Sequence, residues 1–200
     1  MNHLRTKPRR ALSAIACAAL LATSFATRLN AQSEPAAPPE MMQAPQSAAA
    51  MPSPPATANV AVAGATIRIN YNTPHLRGRH LGTPEIVPYG QVWRTGANLA
   101  TTIITSAPLK FGTLLVPAGT HTLFSLPTAD AWQLILSNDV GEWGLDYKPT
   151  KDLGRIPMKA KPVSTPQEVM SLSFENTTAT STELHIRWDT TDRYVTITTP

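Results

Sequence analysis

The chain has 200 residues, with 17 Lys and Arg against 13 Asp and Glu and a pI near 9.5. Five of the basic residues (Arg5, Lys7, Arg9, Arg10 and Arg28) and none of the acids precede residue 32, which leaves 12 basic against 13 acidic residues beyond it. No bulk field would draw that part to nucleic acid, and an export-type protein with Cys17 as its one cysteine has no disulfide or thiolate chemistry once its leader is removed.

The N-terminus has the pattern of an export signal. His3, Arg5, Lys7, Arg9 and Arg10 form a basic region without an acid, and Ala11 to Ala26 is an apolar run rich in Ala and Leu. Cleavage is expected after Ser24-Phe-Ala26 or Leu29-Asn-Ala31. The run is shorter than the roughly 20 residues of a spanning helix, so no stable membrane span is expected after cleavage. Ala14, where a lipoprotein signal would want Leu, argues against lipidation at Cys17. The reading predicts an exported protein, periplasmic or extracellular.

Residues 32–58 hold seven of the 19 prolines among Ala, Ser, Gln and Met. Such a segment buries too little apolar area to offset its ordering entropy, and is expected to be a disordered, semi-extended linker. Met41, Met42 and Met51 are irregularly spaced and lack an accompanying His, which favours spacer over metal tract. Residues 59–200 remain as one domain. A chain of that length buries roughly two-thirds of its unfolded surface, enough for a core without disulfides.

Period-two alternation recurs along this domain. Ile67, Ile69 and Tyr71 alternate with Thr66, Arg68 and Asn70. The same pattern holds for Trp132, Leu134 and Leu136, for Met170, Leu172 and Phe174, for Leu184, Ile186 and Trp188, and for Val195 and Ile197. Within the fourth run His185 falls on the polar, solvated face. Pro117-Ala-Gly119, Asp139-Val-Gly141 and Asp189-Thr-Thr-Asp192 supply turns. A short helical turn is expected at Thr83-Pro-Glu-Ile86, with Thr83 as cap and Pro84 at the first position. The fold class is all-β: an antiparallel β-sandwich or jelly roll of eight or nine strands, with a closed barrel as runner-up.

The segment from Asn72 to Asn98 is longer than an ordinary connection, and its aromatics and charges mark it as the candidate surface. His75, Arg77, Arg79 and His80 form a basic cluster, with Arg94 close behind. Arg forks match carboxylates bidentately, so this is a candidate anion or carboxylate site. The alternative is a solvated loop paired with acids such as Asp139, Glu142, Asp146 and Asp152. In Trp93-Arg94-Thr95-Gly96-Ala97-Asn98, Arg94 can clamp a ligand while Trp93 or Tyr89 stacks on it. Gly96 and Asn98 can take the positive φ of a tight turn. The structural alternative has Trp93 filling the core and Arg94 bonding carbonyls at a sheet corner. Trp143-Gly-Leu-Asp-Tyr147 can wall a sugar- or peptide-binding cleft. His75, His80 and His121 show no metal-ligand spacing, and no Gly-x-Ser-x-Gly elbow occurs. No metal site and no cofactor are expected.

Residues 66–200 resemble a family of exported bacterial proteins, the domain-of-unknown-function family 2911. The likeness is carried by Val87-Pro-Tyr-Gly-Gln-Val-Trp-Arg-Thr-Gly-Ala-Asn98 with Ala100-Thr-Thr102, and by Val116-Pro-Ala-Gly-Thr-His-Thr-Leu-Phe124. Trp132-Gln-Leu-Ile-Leu136, Gly141-Glu-Trp-Gly144 and Leu184-His-Ile-Arg-Trp188 add to it. The chain departs at Leu99, where the family often carries an acid, and at His121, where Tyr is common. An acid at 99 would be a partner for Arg94 or a ligand, and Leu99 supplies none. The resemblance implies export and a β-rich fold, and brings no catalytic assignment.

Three functions compete on this reading. The first is a non-catalytic binding module of the cell envelope, taking a saccharide, a carboxylate ligand or a protein. The second is a structural or envelope-assembly domain without a small-molecule ligand. The third is a hydrolase or isomerase using His75, His80 or His121 with a carboxylate such as Glu85 or Asp146.

Overall fold

The computed structural model describes residues 52–200. The expected signal peptide and most of the expected linker lie outside the described residues. Eleven antiparallel strands follow in chain order: β1 Pro55–Val62, β2 Ala65–Asn72, β3 Thr101–Thr105, β4 Leu109–Phe111, β5 Leu114–Val116, β6 Gly119–Pro127, β7 Trp132–Ser137, β8 Asp152–Ala160, β9 Gln167–Glu175, β10 Ser181–Asp189 and β11 Thr191–Thr198. There is no α-helix among the described residues; one 3-10 turn spans Pro149–Lys151. β1 begins at Pro55, ahead of the domain start expected at residue 59. Its small residues alternate inward, with Ala58 and Val62 buried, inside a stretch whose composition reads as linker.

The strands form one path, β1-β2-β3-β6-β7-β8-β11-β10-β9, with β4 joined to β11 and β5. The fold is an all-β antiparallel sheet, nearly closed and barrel-like, as in the runner-up expectation. The reason lies in β8. Its first part pairs with β7, from Ser137↔Asp152 to Trp132↔Met158, and its end pairs with β11 at Lys159 and Ala160. One strand thereby joins what would otherwise be two sheets. The path then bends back on itself beyond β2. Leu76 N–H donates to Glu168 O at 3.0 Å and Met170 N–H to Pro74 O at 3.0 Å. Tyr71 Oη accepts from Leu172 N–H at 3.2 Å. These contacts occupy the inner part of the β9 edge, which would otherwise present unpaired backbone. Period-two patterning could not distinguish the two architectures, because each has one inward face per strand.

The core lies inside the curved sheet. Ile69, Ile103, Phe111, Leu123, Leu134, Met170, Leu184, Ile186 and Ile197 are fully buried there. Burying such a side chain contributes about 1.5–3 kcal/mol, and no disulfide supplements it. A second, small cluster of Ala100, Phe124 and Ile135 sits on the outer face of β6 and β7 under Val92, Leu126 and Tyr147. It matters for function because it holds down the loop between β7 and β8.

His185 is a further correction. It lies fully buried rather than solvated, stacked on Tyr194 at 4.9 Å and bonded through Nδ1 to Asp192 Oδ1 at 2.7 Å. Glu183 Oε2 approaches its Nε2 at 3.4 Å. Alternation placed it outward, but the charged side chains of β9, β10 and β11 cover that face. The expected helical turn at Thr83–Ile86 is instead a tight β-turn, closed by Ile86 N–H to Thr83 O at 3.2 Å and bridged between those two residues.

Candidate functional site: the Arg94 cleft

The segment Val87–Ala100 is fixed to the sheet by Trp93. Its N–H donates to Ser125 O and its carbonyl accepts from Ser125 N–H, both at 2.8 Å. The Trp93 ring stacks on Trp188 at 5.6 Å and meets Trp132 edge-on at 6.1 Å. Its indole N–H donates to Gly96 O at 3.1 Å. Trp93 is therefore part of the wall and floor rather than a free platform.

The turn after it differs in detail from the sequence expectation. Thr95 and Asn98 take positive φ, at 51° and 59°, and Gly96 does not. Gly96 is needed for a different reason: a Cβ there would lie 2.9 Å from Thr101 Oγ1 and 3.2 Å from Asn72 O. A β-branched residue with positive φ is unusual. Thr95 is held there by its Oγ1 donating to Ser125 Oγ at 2.9 Å and its carbonyl accepting from Thr101 Oγ1 at 2.8 Å. Asn98 Nδ2 donates to Ser53 O at 3.4 Å.

Between these anchored neighbours Arg94 enters a cleft of about 380 Å³. Apolar walls come from Pro84, Ile86, Pro88, Val92, Ala97 and Leu145, with Trp93 and Trp188 as the floor. Gln91, Arg79 and Glu85 are the other polar groups lining it. Arg94 is half-buried, and its Nε is fully buried with no hydrogen-bond partner among the described residues. Among the described residues it forms no ion pair. Burial pushes its pKa below the ordinary guanidinium value, yet an arginine stays charged at neutral pH. A buried donor without a partner is uncommon and unfavourable.

Three of the acids that could have quenched Arg94 are engaged elsewhere. Lys148 Nζ bonds Asp139 Oδ2 at 2.8 Å and lies 3.6 Å from Glu142 Oε1. Asp152 Oδ2 accepts from Tyr147 Oη at 2.6 Å and from Arg155 Nε at 3.1 Å. Tyr147 also packs edge-on against Phe124 at 5.0 Å, so the loop that carries Leu145 into the cleft is fastened at its end. Gly144, one residue earlier, lets that loop pass directly against the Arg94 stem: a Cβ at 144 would overlap Arg94 Cδ.

The remaining candidates disperse. Arg79 lines the cleft, but its Nε and Nη2 donate to the Leu76 and His75 carbonyls at 2.9 and 3.0 Å. Arg77 reaches Pro52 O at 3.0 Å. His75 belongs to the barrel seam, bridged to Val169. His80 is exposed, with Nδ1 at 3.2 Å from Asp189 Oδ2. His121 is buried on β6, with Nε2 at 3.1 Å from Pro117 O. The three histidines thus have three separate neighbourhoods, and the one carboxylate among their partners is Asp189, not Glu85 or Asp146. Tyr89 is exposed and covers Gly82, where a Cβ would overlap its ring. Trp143 is 51% exposed and bridges to Leu99, which is 56% exposed; with Leu145 at 74% they form an apolar ridge beside the cleft. The expected wall Trp143–Tyr147 enters the cleft through Leu145, whereas Gln91 and the role of Gly144 carried no local signal in the sequence.

The family model described as Protein of unknown function (DUF2911) matches residues 53–197. The chain belongs to this family. The DUF2911 match takes in all eleven strands except the last residue of β11, and the Arg94 cleft is built wholly from residues inside it. No curated protein and no solved structure matches the chain.

Proposed function

We propose that this DUF2911 domain is a ligand-binding module of the cell envelope, and that its site is the Arg94 cleft. The observation that carries the reading is the Arg94 Nε, buried without a partner among the described residues at a concave site with both apolar and polar walls. A lone guanidinium in such a place is favourable only when an anion completes it, and a carboxylate fits its fork best. Ligand sites usually combine apolar walls with a few convergent polar groups, as here. The basic, then apolar, N-terminal sequence supports export, which would set the domain among envelope saccharides, peptides and proteins. The reading is non-catalytic because, among the described residues, no histidine, hydroxyl or thiol side chain lines the cleft beside Arg94 and Glu85.

Thermal melting of the purified protein tests this, against small carboxylates, cell-wall sugars and muropeptides, with Arg94→Met in parallel. A carboxylate-bearing compound should raise the wild-type Tm and leave the variant unchanged. A rise of equal size in both proteins would place binding elsewhere.

A further inference from the structure

Arg94 is not the one unmatched charge in its cleft. Glu85 lines the same cavity, is exposed, and forms no ion pair among the described residues. The two do not neutralise each other: no Arg94 nitrogen lies within 4.0 Å of a Glu85 carboxylate oxygen. A cation and an anion therefore stand apart in one small cleft, each without an ion-pair partner among the described residues. Arg79 adds positive character but has most of its fork on backbone carbonyls, so it does not remove the contrast.

We propose that the ligand of the Arg94 cleft is a zwitterion, a free amino acid or very short peptide with its carboxylate on Arg94 and its ammonium toward Glu85. This rests on the Arg94 cleft being the ligand site. Four features support the deeper claim. A ligand carrying both charges satisfies both groups, whereas a simple anion would leave the Glu85 carboxylate opposing it across the cleft. The volume of about 380 Å³ lies near the lower end for small-molecule sites, which favours a ligand of dipeptide size over an oligosaccharide. Gln91, a neutral donor and acceptor on the cleft wall, suits a peptide amide. The remaining lining, with Pro88, Val92 and Leu145, suits small aliphatic side chains.

Isothermal titration of the full-length protein separates the terms. The probes are L-alanyl-L-alanine and its D,D enantiomer, the N-acetyl dipeptide, the dipeptide amide and propionate. The variants are Arg94→Met and Glu85→Gln; the latter is an exposed position whose melting temperature should not move. One of the free dipeptides should bind wild type at least about ten-fold more tightly than its N-acetyl form, and Glu85→Gln should erase that difference. Amidation, or Arg94→Met, should abolish binding. If the N-acetyl dipeptide or propionate binds wild type as tightly as the free dipeptide, the zwitterion proposal is overturned while the anion reading stands. If no carboxylate binds, both are overturned.

Discussion

Gly144 lies so close to the Arg94 side chain that a single added methyl group would overlap Arg94 Cδ and sit 2.9 Å from the Asn98 carbonyl oxygen. The β7–β8 loop and the Val87–Ala100 segment, far apart in sequence, are thus fitted together at the residue that carries the unmatched charge. Gly144→Ala should push the loop or the guanidinium aside. Its stability loss should be about 1–3 kcal/mol, as for overpacking generally, with at least a ten-fold loss of carboxylate affinity. Urea unfolding and titration calorimetry on one preparation measure both. Unchanged affinity would mean that Arg94 does not need its present position.

Arg94→Met should separate stability from function. Wild type holds a desolvated charge with an unpartnered donor, and methionine keeps the stem without either. Replacing such a group with an apolar one is often neutral or stabilising, by about 1–2 kcal/mol at most. The variant should therefore melt at or above the wild-type temperature while binding no carboxylate. A clearly lower Tm would return Arg94 to the architectural role that the sequence also allowed.

Trp93→Ala should behave in the opposite way. It removes the stack on Trp188, the edge contact with Trp132 and the bond to Gly96 O. A loss of about 3–5 kcal/mol is expected from an aromatic truncation in a packed site. Chemical denaturation checks it, and a loss below about 1 kcal/mol would show the tryptophan cluster to be loosely packed.

Tyr147 predicts an alkaline signature. Burial, and then its bond to Asp152, push its pKa up to about 12 against the positive charge of Arg155. A phenol whose pKa is raised on folding is held in its protonated form. Its contribution is fully present below the unfolded value near 10 and fades as pH rises through the folded value near 12. Tyr147→Phe should be less stable than wild type by about 1–2 kcal/mol at pH 8, with the gap narrowing between pH 10 and 12. Urea midpoints across that range measure it. A gap that stays constant to pH 12 would mean that the hydroxyl bond is not what Tyr147 contributes.

Much of the sheet was legible from alternation alone, because Ile67, Ile69, Leu134, Met170, Ile186 and Ile197 mark inward positions on strands that each bury one face. The closure was not. It depends on Pro74–Leu76 meeting β9, a pairing about 90 residues apart that no local pattern encodes. β1 was hidden by its small residues and the surrounding prolines. His185 was misplaced because alternation counts one buried face, whereas Ile135 and His185 show both faces covered in places. The site was half legible. Arg94 and Trp93 stood out as residue types, but whether Arg94 had a partner depended on Lys148 engaging Asp139 and Glu142, a competition decided only in three dimensions.

The most direct measurement is the Arg94 Nε–Hε resonance, followed by ¹⁵N NMR as a carboxylate is added. The resonance, assigned by its loss in Arg94→Met, should report an unbonded donor in the free protein. A free alanine dipeptide should then shift it saturably and slow its hydrogen exchange. A resonance already bonded in the free protein, or one that no carboxylate moves, would contradict the assignment of the cleft as an anion site.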